Sequence, residues 1–164
     1  MQKYRSLPVV TVDDDQIYSD DMMSTLFVEY LKFGHNNVYC HRAHLMKFYD
    51  SGIPMNYLDW KIQHFQDEPS FDLFATGVGG VLYPPNCMAI TTADLDEILG
   101  YSFSNDDIFL KKRENKMRLR VKVVQSGCGR KSTSDSESDD SLWFSCNRRD
   151  NDKNIKLSGI RRVS

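Results

Sequence analysis

Several absences narrow this sequence before any motif is read. Its four cysteines, Cys40, Cys87, Cys128 and Cys146, stand far apart with no C-x-x-C pair. That spacing argues against a zinc ribbon, a dithiol redox motif and a dense disulfide framework, and it makes a reducing compartment the default. No apolar run approaches the roughly 20 residues that span a bilayer. The opening residues, MQKYRSLPVV, lack the apolar stretch and small-residue cleavage site of a secretory leader. Neither sign of charge dominates: Lys and Arg number 21, Asp and Glu 23, for a net charge of -2. A basic nucleic-acid binder and an acidic disordered chain are both excluded on that balance. The expectation is a cytoplasmic chain with no transmembrane segment and no nucleic-acid partner.

What is present is enough for a folded domain. The 164 residues are 40% hydrophobic and 12% aromatic, and a chain of that length buries about 70% of the surface its unfolded form exposes. The run LPVVTV, residues 7 to 12, is apolar and β-branched, which suits a strand buried on both faces of a parallel sheet. Ser19 then stands where a helix cap would, with Asp20 and Asp21 in the first turn. Met22, Met23, Leu26, Phe27, Tyr30 and Leu31 follow at the spacing of one helical face, ending near Phe33 before Gly34.

Residues 37 to 46 read as one strand and residues 50 to 60 as a loop. FDLFATGVGGVLYPP reads as two short strands joined through glycines and stopped by Pro84 and Pro85. Thr92 caps a short helix ending at Gly100. Ser104 caps a second, with Asp106 and Asp107 in its first turn and Lys111, Lys112 and Arg113 towards its end, complementing the dipole. RLRVKVV is a strand, residues 126 to 141 a flexible Ser/acidic loop, and residues 142 to 164 a last strand with a polar tail expected to pack poorly. Strands alternating with helices make an α/β chain, with three consecutive aspartates at the carboxyl end of a strand, the ligand-binding edge of open α/β sheets.

Two carboxylates about 5 Å apart repel by about 3 kcal/mol at an effective dielectric near 20, so the cluster Asp13, Asp14, Asp15 asks for a cation. Oxygen ligands without thiolates suit Mg2+ or Mn2+, which complete their shell with water and substrate phosphates. An EF-hand is excluded because Tyr18 stands at the sixth loop position from Asp13, where glycine is needed. TGVGGVLYPP fails as a dinucleotide fingerprint, since Leu82 stands where the last glycine belongs. Its glycines serve either close backbone approach to a ligand or the turn itself. Asp106 and Asp107 are explained by capping alone, or one of them is a general base. In VYCHRAH, His41 and His44 would point to opposite faces of a strand, which disfavours zinc, and Arg42 can pair with an anion. Trp60 and Tyr57 are core aromatics or a platform for a sugar ring.

In this order, TVDDDQIY, CHRAH, YLDW, FATGVGGVLYPP and NDDIFLK, the sequence resembles bacterial-type glycosyltransferases of the A-type, nucleotide-diphospho-sugar transferase fold, over roughly residues 7 to 115. The resemblance implies a Rossmann-like mixed sheet with flanking helices, of which this chain is the carboxyl-terminal portion: a partial domain over 1 to 125, since only twelve residues precede Asp13 where nucleotide-binding strands are expected. It further implies a DDD variant of the D-x-D motif, with Asp13 and Asp15 at a Mn2+ or Mg2+ ion and Asp13, Asp14, Gly77, Gly79 and Gly80 at the nucleotide-sugar donor. Trp60 would stack on the acceptor and Asp106 or Asp107 would be the catalytic base. The activity implied is metal-dependent, inverting transfer to a glycan or a lipid-linked acceptor, with peripheral work at the inner face of a membrane. Two other readings compete: a glycoside hydrolase using paired carboxylates, and a non-catalytic remnant of the transferase fold.

Overall fold

A computed structural model describes residues 5–99, 106–124, 131–132 and 148–163. The elements in chain order are β1 (Val9–Thr11), β2 (Gln16–Ile17), α1 (Met22–Phe33), β3 (Asn37–Cys40), β4 (Ala43–Leu45), β5 (Leu73–Ala75), β6 (Val81–Tyr83), α2 (Thr92–Glu97), α3 (Asp106–Lys116), β7 (Arg120–Val123), β8 (Lys131–Ser132) and α4 (Arg148–Ser158). The chain is α/β, built on a mixed four-stranded sheet of order β1-β6-β3-β7. β6 is antiparallel to both neighbours and β3 is parallel to β7, so β1, β3 and β7 end at the same edge.

Apart from Asn37 at the start of β3, the two central strands are apolar because both their faces are covered. Val38, Cys40, Val81, Tyr83, Val121 and Val123 point to one side and meet Phe109 and Leu110 of α3. Tyr39 and Leu82 point to the other and meet Met22, Leu26 and Tyr30 of α1. Within the first of these clusters Lys111 and Glu114 form a fully buried ion pair at 3.1 Å, and Lys111 Nζ also donates to Leu73 O at 2.7 Å.

Several expectations are corrected. β1 is an edge strand of intermediate exposure, paired on one side only and antiparallel to its neighbour, instead of a fully buried parallel strand. α1 starts at Met22, after Asp20 and Asp21, and the Ser19 hydroxyl caps nothing; it is the Ser19 carbonyl that accepts the Met22 N–H, at 3.1 Å. The stripe foreseen on α1 is only half used, for Met23, Phe27 and Leu31 are exposed.

Residues 37 to 46 are two strands. After Cys40 the chain leaves the main sheet, and β4 pairs instead with β5 in a separate two-stranded ladder. β5 and β6 are accordingly no hairpin: a 3-10 turn at Gly77–Gly79 carries the chain from one sheet to the other. The α2 cap is Thr91, one residue before the expected Thr92, in a reciprocal capping box with Asp94.

The tail packs, contrary to expectation. α4 and its exit bury Ile155 and Ile160 among Met46, Tyr57, Trp60, Phe74 and Ile108. Of the apolar residues of α4, Ile155 is buried and Leu157 is exposed, and so sparse an apolar content conceals the packing from composition. The expected caps Gly100 and Ser104, most of the Ser/acidic loop and the strand at 141 to 146 lie outside the described residues; within that loop Lys131–Ser132 pairs antiparallel with β2. Among the described residues no helix is long and apolar enough to cross a membrane.

Candidate active site at the carboxyl edge of the sheet

Three segments far apart in the chain meet beyond the end of β1. The first is the acidic turn. Asp13 follows β1, and its N–H donates to the Tyr18 hydroxyl at 3.0 Å, closing the DDDQIY turn on itself. Asp14 is exposed, and Asp15 Oδ1 accepts from Gln16 Nε2 at 3.0 Å. The second is the crossing from β5 to β6, which opens with Gly77. The third is the amino-terminal turn of α3, where Asp107 Oδ1 accepts the Gly77 N–H at 2.9 Å.

Gly77 is the hub of this arrangement. A Cβ placed on it would lie 3.0 Å from Asp13 Oδ1 and 3.4 Å from Asp107 Oδ1. The missing side chain is what lets both carboxylates approach one patch of backbone. The other two glycines assigned to the donor serve packing. A Cβ on Gly79 would sit 2.7 Å from Arg42 Cβ, and Gly80 adopts φ +81° with its α-carbon face against the Met22 thioether. Both are buried.

The electrostatics follow from the crowding. Burial pushes the Asp107 carboxyl well above the usual carboxylate range, and the negative charges of Asp106, Asp13 and Glu114 add to the effect. The Gly77 N–H pulls the other way, because it stabilises the ionised form. Asp106 is exposed. The acidic pair is thus split by its surroundings: Asp106 is exposed and Asp107 is half-buried against Gly77 and Asp13.

Arg42, Thr76, Tyr57 and His44 complete the site, and sequence reading left Thr76 out. Arg42 Nη1 donates to Thr76 Oγ1 at 3.1 Å, and the Thr76 N–H donates to Arg42 O at 3.1 Å. This fixes a guanidinium on the residue next to Gly77. Tyr57 is pushed up to about 12 by burial, with Arg42 opposing and the Asp107 charge reinforcing the shift, so its phenol stands in the field of both. Burial and the Arg42 charge pull His44 down to about 4; its ring stays neutral at pH 7, and Nδ1 accepts the Gln63 N–H at 3.0 Å. The segment CHRAH showed Arg42 as an anion partner and YLDW showed Tyr57 as a core aromatic or a platform for a sugar ring, but nothing local in the sequence marks Thr76.

Trp60 takes the core alternative. It is buried, its Nε1 donates to Met55 O at 3.1 Å, and its ring packs on Tyr57 and Phe74 at centroid distances of 5.0 and 5.3 Å. No face of the indole is left for a sugar. His41 is likewise structural, with Nε2 3.1 Å from Met22 O and Nδ1 3.3 Å from Val124 O, joining the start of α1 to the end of β7. A cavity of about 980 Å³ lies elsewhere, between α1 and β7, and holds none of the residues expected at the site.

For a divalent cation the donor set is incomplete but of the right kind. Among the described residues no group of three His, Cys, Asp or Glu side chains is close enough to cage an ion. Asp13 and Asp107 nevertheless present two carboxylates to one point, and hard cations that serve phosphate substrates are commonly held by one or two carboxylates, the remaining ligands being water and substrate. No protein-family model, curated protein or solved structure matches this chain.

Proposed function

We propose that this chain carries the metal and acceptor side of a glycosyl-transfer site, taking a sugar from a nucleoside-diphosphate donor to a hydroxyl of a glycan or lipid-linked acceptor with inversion. The single observation behind the reading is the convergence of Asp13, Gly77 and Asp107. These residues belong to the three segments on which the resemblance to A-type glycosyltransferases rests, and they are distant in sequence.

In this reading Asp13, with Asp15 nearby in the same turn, holds Mn2+ or Mg2+. That ion neutralises the charge developing on the departing nucleoside diphosphate. The acceptor proton goes to a carboxylate of the acidic pair. Asp107 is the better placed, because a carboxyl lifted above its usual range is a stronger base than an exposed one and is already oriented by the Gly77 N–H. Arg42, tied to Thr76, supplies the positive charge that a phosphate or acidic acceptor would meet at the rim.

The raised carboxyl beside a second carboxylate also favours the hydrolase reading, in which one group protonates the leaving oxygen. Calorimetry with Mn2+ and with UDP- and GDP-sugars separates the two. The transferase reading expects micromolar, metal-dependent donor binding that Asp13→Ala or Asp15→Ala removes. Sugar release that survives EDTA and needs no nucleotide would favour the hydrolase instead, and a protein that binds neither metal nor nucleotide would be the remnant.

A further inference from the structure

The strand sequence RLRVKVV also carries three cations, Arg118, Arg120 and Lys122. All three line the cavity of about 980 Å³ between α1 and β7. Arg120 and Lys122 stand in register with Asn37 and Tyr39 of β3, and Tyr39 packs beneath α1. Residues in register share a face of the sheet, so both cations project to the α1 side.

The cations are held in place. Val121 exchanges both backbone hydrogen bonds with Ser70, at 2.9 and 3.0 Å, which sets Phe71 against the β7 edge. The guanidiniums of Arg118 and Arg120 lie 5.8 and 5.4 Å from the centre of that one ring. Arg118 reaches it from a left-handed backbone, φ +55°, which a residue with a long side chain adopts only at a cost. Lys122 is 8% exposed; its ammonium stands 4.6 Å from the centre of Phe33, donates to Asp67 O at 2.8 Å and lies 3.9 Å from Glu29. Lys32, at the end of α1, stands over the Phe33 ring at 4.8 Å. Two rings thus position four cations, and little side-chain freedom is left to lose on binding.

We infer that this cavity binds a saccharide chain with isolated anionic groups, one of which is taken by Arg118 and Arg120. The paired guanidiniums select an oxyanion, because their fork of donors matches carboxylate and phosphate. The balance of charge sets how many. Among the described lining residues the four cations are met by three carboxylates, Glu29, Asp67 and Glu68. A densely charged polyanion such as single-stranded nucleic acid would bring a phosphate at every residue against those carboxylates, as like charges. A ligand rich in hydroxyls uses them instead. Each hydroxyl has a proton to donate and a carboxylate only accepts, while the amides of Asn36 and Asn37 on the same wall do both. Phe65, 39% exposed, adds an apolar wall for the C–H face of a sugar ring. The volume lies in the range of sites for organic ligands. This site is separate from Asp13, Gly77 and Asp107, and it stands whether or not they transfer a sugar.

The test is a glycan array probed with the labelled full chain, followed by calorimetry with the best-bound oligosaccharide. The expected result is signal from saccharides bearing one uronate, sialate or sugar phosphate every few rings, with neutral counterparts bound at least tenfold more weakly. Comparing the carboxylate and phosphate members identifies the source of the anion. The double variant Arg118→Asn/Arg120→Gln, in which asparagine tolerates the left-handed backbone, should weaken binding at least tenfold with an unchanged far-UV circular dichroism spectrum. Asp13→Ala should leave it intact. The inference is overturned if no glycan binds above background, if neutral glycans bind equally well, or if heparin or oligo(dT) binds more tightly than the sparsely charged saccharides. Binding that ignores the arginine pair, or that is lost with Asp13→Ala, would overturn it as well.

Discussion

The Gly77 N–H donates to Asp107 Oδ1 at 2.9 Å across thirty residues of sequence, and the missing side chain of the same glycine leaves room for Asp13 against the same patch. A methyl group there would displace one carboxylate or the other, while nothing in the backbone of Gly77 itself forbids it. Gly77→Ala should therefore fold, with a loss of about 1–3 kcal/mol from overpacking, and should weaken Mn2+ binding by at least about tenfold, since about 1.4 kcal/mol corresponds to a factor of ten. Urea unfolding and metal titration read the two effects separately. Unchanged metal affinity would mean that Asp13 takes no part in holding the ion.

Asp107 is destabilising when ionised, which fixes the sign of its pH dependence. Its folded-state carboxyl titrates above the unfolded value. The native state is favoured by this group below about pH 4, and the advantage is lost as pH rises through the folded value. Asp107→Asn keeps an oxygen for the Gly77 N–H and removes the charge. Its Tm should match wild type near pH 4 and exceed it by a few degrees at pH 7, about 1 kcal/mol being worth roughly 2–4 °C at this size. Transfer activity should vanish at both pH values if Asp107 is the base.

His44 acts in the opposite direction. Its ring is pulled down to about 4 from an unfolded value near 6.5, so the unfolded chain takes up the proton first. Stability is complete above about pH 6.5 and declines as pH falls towards 4, by about 2–3 kcal/mol at the lower end. His44→Gln keeps an acceptor for the Gln63 N–H and should flatten the dependence of the urea midpoint on pH between 6.5 and 4. An equally steep slope in the variant would place the titration elsewhere.

Lys111 and Glu114 are both about 1% exposed at the side chain. Burial raises the Glu114 carboxyl above its usual range, and Lys111 opposes that shift. Removing one partner strands a charge in the core, so Lys111→Met and Glu114→Gln should each cost about 3–5 kcal/mol, with the Lys111→Met/Glu114→Leu double variant recovering most of it. A double variant no more stable than the worse single one would show that the pair itself, and not the stranded charge, holds α3 to β5.

Trp60 separates a packing role from an acceptor role. Trp60→Phe should lower stability by about 1–3 kcal/mol and Trp60→Ala by about 3–5 kcal/mol. Neither should move the KM for acceptor more than the variant's loss of folded protein explains. A selective rise in acceptor KM for Trp60→Phe would return the indole to the binding surface.

Much of this was legible from local pattern. The strand at LPVVTV, the helix stopping before Gly34, the interrupted glycine segment and the acidic start of α3 all follow from periodicity, capping and turn chemistry, which act within a few residues. The mixed α/β class and the position of Asp13 beyond a strand follow from the same local signals. What they could not contain was which strand lies beside which. The split of residues 37 to 46 between two sheets, the edge position of β1, the burial of Ile155 and Ile160, and the core placement of Trp60 all depend on surfaces supplied by residues far away in the chain. The meeting of Asp13, Gly77 and Asp107 is of the same kind: each motif was visible alone, but only the fold decided that one glycine would leave space for two carboxylates.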